Sequence, residues 1–296
     1  MKKHPICLHF QIVMLRNMAL IAALLVIVLA FEGTAISAPP PVRIVSLSPA
    51  MTETLYSLGL GGRIVGVTNV CDRPAEARNK QKIGGMANPS LEAIVALKPD
   101  LVVMAREGNP KGLVERLGGL GIKTYVFNAA RLDELPVTFR KMGESLGVKD
   151  SAERLARRIE TAIKAPRGQK PYHGFLGGKK ALFVIWSEPL IVAGSGTIID
   201  DAMSISGLSN IAADAKSPYP VISLETVIGR SPDLIIIGAS GNEMKNIPGT
   251  AKLLKRLGML EAVRKGRVCY VSDHLYRPGP GIPEGIAELE QCMKMP

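Results

Sequence analysis

Residues 90–103 read SLEAIVALKPDLVV, and residues 223–236 read SLETVIGRSPDLII, 133 positions further along the chain. Six of the fourteen positions are identical, and four more exchange isoleucine and valine. Each copy predicts a short helix that follows a capping serine, carries a glutamate in its first turn, ends before a proline and leads into a buried strand. A duplicated unit of this kind predicts two lobes of related architecture.

Short β-branched runs alternate with helix-like segments along the rest of the chain. Strands are predicted at residues 43–47, 64–67, 101–104, 123–127, 181–186, 234–237 and 268–271, with helical apolar spacing at 50–58, 113–117 and 250–257. This alternation predicts an α/β protein with parallel sheets covered by helices. A charged amphipathic helix at 151–163 and the Pro-, Gly- and Lys-rich stretch that follows it are interpreted as the connection between the lobes.

The N-terminus has the layout of a secretory signal. Lys2, Lys3 and Arg16 precede an apolar run at 18–31, and small residues follow it. Fourteen residues are short for a bilayer, which needs about 20, so cleavage after Ser37 or Ala38 is favoured over a retained membrane anchor. The predicted organisation is a signal peptide at 1–37, an N-terminal lobe at 38–147, a linker helix and loop at 148–180 and a C-terminal lobe at 181–296, located in the periplasm.

Composition excludes several classes of protein. A length of 296 residues with 47% hydrophobic content provides for two domains with cores and excludes a disordered chain. Four cysteines exclude a disulfide scaffold, and four histidines leave little material for a metal site. The net charge is +11, but the charges are scattered and only 4% of residues are aromatic, so no nucleic-acid partner is predicted.

Glu92 and Glu225 occupy the same position in the two copies of the repeat and have two interpretations. An acid in the first turn of a helix is favoured by the helix dipole by about 0.3–1 kcal/mol, which alone accounts for both. Alternatively, two equivalent carboxylates, one on each lobe, form matched docking points for a symmetric partner. The repeat by itself slightly favours the first interpretation.

Further motifs carry a resemblance to a known family. Residues 43–74 (RIVSLSPAMTETLYSLGLGGRIVGVTNVCDRP), the repeat, residues 217–238 and residues 270–281 (YVSDHLYRPGPG) resemble the periplasmic substrate-binding proteins whose lobes are joined by one long helix. These receptors deliver cobalamin, haem and ferric siderophores to ABC importers, and the cobalamin receptors are the most similar. The similarity extends over residues 42–292.

This resemblance implies two Rossmann-like α/β lobes with parallel sheets, one long inter-lobe helix and a ligand cleft between the lobes. It also implies that Glu92 and Glu225 pair with basic residues of the permease. The resemblance therefore favours the docking interpretation of the two glutamates over the helix-dipole interpretation. The implied partners are an ABC importer permease with its ATPase and a small-molecule metal chelate. A monomer without catalytic residues, resident cofactor or metal site is expected.

The ligand-binding residues that the resemblance implies follow the carboxyl ends of the strands. They are Ser48, Pro49, Val70, Cys71, Asp72, Arg73, Gly85, Met86, Arg106, Trp186, Tyr219, Asp273, His274 and Arg277, with Glu107, Glu188 and Tyr276 beside them. As the only tryptophan, Trp186 is first interpreted as a core residue. Tyr219 lies between two prolines, which favours a ring that faces the ligand.

The sequence departs from the family pattern at informative positions. Met86 and Ala105 stand where cobalamin receptors carry aromatic residues, and haem receptors place a tyrosine ligand at the position of Met86. Siderophore receptors gather arginines, a role open here to Arg73, Arg106 and Arg277. Some cobalamin receptors have a disulfide to the last helix. Here the position of its first cysteine is Ser206, which leaves Cys292 without that partner.

Two side chains are candidate metal ligands, and an enzyme is the alternative to a binding protein. Cys71 is a candidate metal or cobalt ligand but is more simply a small, semi-buried residue, and a lone His274 is a weak candidate for an axial ligand. The glycine-rich segments at 118–124 and 194–196 lack the order of phosphate or dinucleotide loops. The prediction is therefore a periplasmic corrinoid receptor, with a haem or siderophore receptor as the alternative and a chelatase-like enzyme as the rival class.

Overall fold

The first lobe is built on a parallel sheet. The computed structural model describes residues 40–110, 112–165, 178–238 and 249–295, so the predicted signal peptide lies outside the described residues. The strands are β1 (Ile44–Ser46), β2 (Ile64–Val67), β3 (Gln81–Lys82), β4 (Leu101–Ala105) and β5 (Lys123–Phe127), in the order β3-β2-β1-β4-β5. Helices α1 (Pro49–Ser57), α2 (Leu91–Ala96), α3 (Leu113–Gly119) and α4 (Glu134–Leu146) connect or follow them.

The second lobe repeats this plan with one change of direction. Its strands are β6 (Lys179–Ser187), β7 (Leu190–Val192), β8 (Leu208–Asn210), β9 (Leu234–Gly238) and β10 (Val268–Val271), in the order β10-β9-β6-β7, with β8 also paired to β6. Its helices are α6 (Ile198–Ile205), α7 (Leu224–Arg230), α8 (Thr250–Arg256), α9 (Glu261–Arg264) and α10 (Ile282–Met293). A tight hairpin turns β7 antiparallel to β6, whereas the sequence predicted only parallel pairing.

Helix α5 (Lys149–Lys164) connects the two sheets along the chain and confirms the helix predicted at 151–163. Its buried side chains include Leu155 and Ile159, and the helix contacts α4 of the first lobe and α10 of the second. Arg158 forms an ion pair with Glu284 of α10. Residues 166–177 of the predicted connecting loop lie outside the described residues. None of the helices in the described ranges has both the length and the apolar character needed to cross a membrane.

The two copies of the repeat have the same local structure. Ser90 and Ser223 each accept a hydrogen bond of 3.1 Å from a backbone N–H in the first turn of α2 and α7. Each copy then turns through a non-glycine residue in the left-handed region, at Lys98 (φ 46°) and Ser231 (φ 45°), directly before the proline. These two are the positive-φ non-glycine residues within the described ranges, and they also stand 133 positions apart. The predicted duplication is confirmed.

The Pro-Asp-Leu step of each copy anchors the first strand of its own lobe. The Asp100 backbone N–H donates to the carbonyl of Arg43 at 3.0 Å, and the Asp233 N–H donates to the carbonyl of Lys180 at 2.8 Å. Both carboxylates then accept from the backbone N–H groups of that strand segment. The end of a strand leaves backbone groups without a ladder partner, and the aspartate supplies an acceptor for them at the same point in both lobes.

The cysteine pairing that the sequence left open is settled by the fold. Cys269 of β10 and Cys292 of α10 form a disulfide with a Cα–Cα distance of 5.6 Å. Cys292 therefore has a partner on a neighbouring strand, although Ser206 stands where some cobalamin receptors have the first cysteine. Cys71 is the free cysteine of the described residues and is buried.

Removing this disulfide should lower the free energy of unfolding by about 3 kcal/mol, because it closes a loop of 23 residues in the unfolded chain. Denaturant unfolding of a chain of residues 38–296 with Cys269→Ser and Cys292→Ser measures the loss. A reductant should destabilise the wild-type chain equally and leave the double variant unchanged. More than one reactive thiol per unfolded, non-reduced chain would contradict the pairing.

Candidate functional site

A cavity of about 570 Å³ lies between the lobes, where the carboxyl ends of several strands meet. The first lobe contributes the residues after β1, β4 and β5, and the second lobe contributes the end of β6 and two loops. The lining residues are Ser48, Pro49, Ala50, Met86, Ala105, Arg106, Glu107, Gly108, Phe127, Asn128, Ala129, Ala130, Ile185, Tyr219, Tyr276, Arg277 and Pro278. We call this cavity the cleft.

Six of the predicted ligand-binding residues line the cleft together. They are Ser48, Pro49, Met86, Arg106, Tyr219 and Arg277. Ser48 caps α1 by accepting from the Met51 backbone N–H at 3.3 Å, and Pro49 is the first helical residue, as its fixed φ favours. The N-terminus of α1 therefore borders the cleft.

The other eight predicted residues do not line the cleft. They are Val70, Cys71, Asp72, Arg73, Gly85, Trp186, Asp273 and His274. Cys71 is 1% exposed, and its sulfur lies 3.1 Å from the Thr52 hydroxyl and 3.0 Å from the Thr68 hydroxyl, which supports a packing role. The His274 ring packs against the first turn of α10, where a Cβ on Gly281 would lie 2.1 Å from its Nδ1.

A cluster of five charged side chains joins the lobes, and one of them, Arg277, also lines the cleft. Arg277 lies 2.6 Å from Asp273, 3.1 Å from Asp72 and 3.2 Å from Glu53. Arg73 lies 2.5 Å from Asp273 and 3.2 Å from Glu53. We call these residues the interlobe charge cluster. Its members lie at least 200 positions apart across the lobes, so the fold alone brings them together.

Arg73, Arg106 and Arg277 were the arginines proposed to bind an anionic ligand. The cluster pairs two of them, Arg73 and Arg277, with carboxylates. Burial of the Asp72 carboxyl opposes its ionisation, but the hydrogen bond and charge of Arg277 outweigh this and lower its pKa. Burial would likewise lower the pKa of Arg277, but the charges of Asp273, Asp72 and Glu53 raise it. Two arginines against three carboxylates leave the cluster with a formal charge of −1.

Arg106 is the remaining basic side chain of the cleft lining. It is exposed, and its Nη1 donates to the Asn128 side-chain oxygen at 3.2 Å. No carboxylate within the described ranges forms an ion pair with it. Glu107 is the neighbouring acid, so the free charge that the first lobe presents to the cleft is close to balanced.

Two tyrosines of the second lobe face the cleft as neutral phenols. Burial, the charge of Glu107 and a hydrogen bond with its carboxylate raise the pKa of Tyr219 to about 12. Burial and the charge of Asp273 raise the pKa of Tyr276 well above its ordinary value. Tyr276 also approaches β9 closely, since a Cβ on Gly238 would lie 2.7 Å from its ring. The position predicted for Tyr219 facing the ligand agrees with its place in the lining.

Trp186 is not a core residue. Its side chain is 49% exposed, and its Nε1 donates to the Glu188 carbonyl at 2.9 Å. The core interpretation is therefore wrong. The physical reason is an irregularity in the β6–β7 pairing between Val184 and Trp186, which shifts the alternation of the strand and turns the tryptophan outward.

Glu92 and Glu225 are exposed at the first turns of α2 and α7. A hydrogen bond from its own backbone N–H and one from the Ser90 hydroxyl lower the pKa of Glu92. The same pair of interactions, with Ser223, lowers the pKa of Glu225. Both carboxylates are thus held ionised at the surface, which is compatible with the dipole interpretation and with docking.

Sequence reasoning missed two parts of the site. The residues after β5, Phe127 to Ala130, line the cleft, and the rule that predicted the loops after β1 and β4 would have found them if it had been applied to the strand predicted at 123–127. Glu53 of the charge cluster gave no signal, because it lies inside α1 and its partners are remote in sequence.

Replacing Asp72 with asparagine should destabilise the protein near pH 7 by up to about 1 kcal/mol, the range for partly exposed ion pairs. The pKa of Asp72 is lowered below its unfolded value of about 3.9, so its stabilisation is present above that pH and is lost as the pH falls through the folded-state pKa. Urea unfolding near pH 7 and near pH 3 should show the D72N penalty shrinking.

The exposed Asp133, whose side chain makes no capping hydrogen bond, provides the control substitution D133N. Its effect should be small at both pH values. A D72N penalty that is equal at the two pH values would contradict the ion-pair assignment.

Comparison with known proteins agrees with this geometry. The model of the family described as Periplasmic binding protein matches residues 44–275. The vitamin B12-binding protein of Pectobacterium atrosepticum is 31% identical over 210 residues, which cover 70% of this chain and 75% of that protein. The corresponding protein of Pectobacterium carotovorum is also 31% identical, over 208 residues.

Solved structures share the fold over most of their length. The periplasmic vitamin B12 binding protein of Vibrio cholerae has a TM-score of 0.73 at 25% identity and covers 86% of this chain and 97% of its own. The periplasmic haem-binding protein from Roseiflexus sp. RS-1 has a TM-score of 0.74 at 27% identity and covers 85% and 97%. From the family match, the relatives and the two-lobed cleft together, the chain is a member of the Periplasmic binding protein family.

Proposed function

We propose that this protein captures a corrinoid of the cobalamin type in its cleft, in the periplasm, and delivers it to the permease and ATPase of an ABC importer. The observation that carries the proposal is the charge state of the cleft. Arg277 of the lining is paired with acids and Arg106 is followed by Glu107, so the lining presents no excess of positive charge. A large, amide-rich macrocycle with little net charge suits such a lining, and the relatives named as vitamin B12-binding proteins support the same ligand.

A haem receptor is the second candidate, because a haem-binding protein is as similar in structure as a B12-binding one. A tyrosine ligand binds ferric iron as a phenolate. The raised pKa values of Tyr219 and Tyr276 oppose that form. Met86 lines the cleft and offers a thioether instead. A haem receptor built on this cleft would therefore use methionine rather than tyrosine as the iron ligand.

A ferric siderophore receptor would use arginines against an anionic chelate. In the cleft lining, Arg106 is the arginine that remains for this role, since Arg277 is engaged by three carboxylates. The rival class, a chelatase-like enzyme, would turn its ligand over. Membership of a family of binding proteins supports capture without covalent chemistry.

A thermal-shift panel of the exported chain (residues 38–296) with cobalamin, cobinamide, haem and several ferric siderophores tests the ligand. A ligand at 100 times its dissociation constant adds about 2.7 kcal/mol to stability, so a corrinoid should raise the melting temperature by several degrees. Corrinoid affinity should change little with salt and little in Arg106→Gln, because few ionic contacts form. A response to haem or a siderophore alone would overturn the proposal, and chemical conversion of the ligand would favour the enzyme.

Docking of the exposed glutamates to the permease is tested separately. Replacing both Glu92 and Glu225 with alanine should abolish import in cells, while the dissociation constant of cobalamin stays within about twofold, because ion pairs at a rim act on encounter and orientation. Glu115→Ala is the matched control, since Glu115 is also an exposed glutamate in the first turn of a short helix but lies outside the repeat.

Loss of ligand affinity in the double variant would place the glutamates in binding instead of docking. An equal loss of import in the Glu115 control would show that any acid of this type matters, and it would remove the support for a matched pair.

A further inference from the structure

A second similarity between the lobes follows the repeat. Residues 113–118, in α3, read LVERLG, and residues 253–258, which begin in α8, read LLKRLG, 140 positions further along the chain. Helices α3 and α8 follow β4 and β9, the strands with which the two copies of the repeat end. Each lobe therefore contains a corresponding pair of helices. We call α2 with α3, and α7 with α8, the matched helix pairs.

The helices of each matched pair pack against their sheet through one buried cluster. The residues that the pairs contribute are Ile94, Leu113 and Leu117 in the first lobe and Val227, Leu253 and Leu257 in the second. Equivalent core contacts fix how each helix is turned about its axis. Residues at equivalent exposed positions of the two pairs therefore face corresponding surfaces of the two lobes.

Two exposed side chains of the matched helix pairs are the same in both lobes. They are Glu92 and Arg116 in the first lobe and Glu225 and Arg256 in the second. The other identical side chains of the repeat and these helices cap or end a helix, fill the core or anchor a strand. Exposure alone does not keep a residue the same, because the position before the arginine carries Glu115 in one lobe and Lys255 in the other.

Each arginine lies near the glutamate of its own lobe without binding it. Arg256 and Glu225 line one cavity of about 240 Å³ beside α7 and α8. No ion pair among the described residues includes either arginine. The pKa of each glutamate is lowered first by hydrogen bonds from its own backbone N–H and from the capping serine, and the charge of the arginine contributes least. The arginines are therefore not needed to keep the glutamates ionised.

The position of the arginines matters for docking. A basic residue of the permease that pairs with a lobe-tip glutamate also approaches the arginine beside it, and like charges that face each other across an interface weaken it. An acidic residue of the permease opposite the arginine removes this repulsion and adds a second ion pair. A glutamate and an arginine side by side also form a pattern that an oppositely charged pair matches in one alignment only.

Resting on the docking function proposed above, we propose that Arg116 and Arg256 each bind an acidic side chain of the permease, next to the basic residue that takes the glutamate. Each lobe then presents one acidic and one basic group, and each half of the symmetric partner presents the opposite pair. The glutamates supply attraction to basic residues, and the arginines fix the alignment of each lobe. The surface that fits this receptor is therefore one of mixed charge.

Neutralising both arginines tests the proposal. Arg116→Gln with Arg256→Gln should raise the receptor concentration that gives half-maximal cobalamin import by about threefold to tenfold, the effect of losing two exposed ion pairs. The dissociation constant of cobalamin, measured by calorimetry, should stay within about twofold, because neither arginine lines the cleft. Arg116→Lys with Arg256→Lys should retain most of the import, since the charge remains.

Import is measured in spheroplasts that carry the permease and its ATPase but lack the receptor. The receptor is purified from cells that express the full chain and is added at increasing concentration. Arg154→Gln with Arg264→Gln is the matched control, because both arginines are exposed and the same net charge is removed. They lie in α5 and α9, outside the matched helix pairs, and their replacement should leave the half-maximal concentration within about twofold.

The possible results separate the arginines from the function on which they rest. Unchanged import with both glutamines would show that the arginines stay in solvent, and improved import would show that they repel a purely basic surface. An equal loss in the control would assign the effect to net charge. Each of these results overturns the role of the arginines and leaves the glutamates as docking points. If the alanine variants of Glu92 and Glu225 import normally, or the wild-type receptor supports no cobalamin import, the proposed function and this inference both fall.

Discussion

Two buried carboxylates of the second lobe, Asp201 and Asp273, are held by arginines of the first lobe. Asp201 is 3% exposed and accepts from Arg131 at 2.8 and 2.5 Å and from the Leu132 backbone N–H at 2.9 Å. Asp273 is 1% exposed and pairs with Arg73 at 2.5 Å. A buried charge costs several kcal/mol unless it is paired, so Asp201 requires the other lobe in place. Asp273 also pairs with Arg277 of its own lobe at 2.6 Å, and Arg73 adds a pair that connects the lobes. The shape of the cleft depends on these two pairs.

The hydrophobic core reinforces the same constraint. One continuous cluster of buried side chains runs from Leu55 and Phe139 of the first lobe through Ile159 of α5 to Phe183 and Ile286 of the second. Such a shared core resists rotation of one lobe against the other, because any large opening would break close packing along its whole length. The ion pairs between the lobes and the packing of α5 against helices of both lobes act in the same direction.

Most helices and strands could be predicted from the local sequence. Features that depend on contacts between distant residues could not. The repeat predicted two lobes because each copy carries its own cap, stop and strand, and the predicted strands coincide with β1, β2, β4, β5, β6, β9 and β10. The strands β3, β7 and β8, of two or three residues each, were not predicted. The pairing of Cys269 with Cys292 depends on how α10 packs on β10, which no spacing encodes. Trp186 was interpreted as a core residue, but the irregular pairing of β6 with β7 places its side chain on the other face of the sheet.

The candidate site could likewise be predicted only in part from the sequence. Strand ends predicted which loops would meet, but the charge of the cleft depends on Glu53, Asp72 and Asp273, which approach Arg277 only after folding. The basic excess of the sequence is therefore not concentrated in the cleft. Arg277 is paired with acids and Tyr219 is a neutral phenol, so shape and apolar contact are the main features that the lining offers.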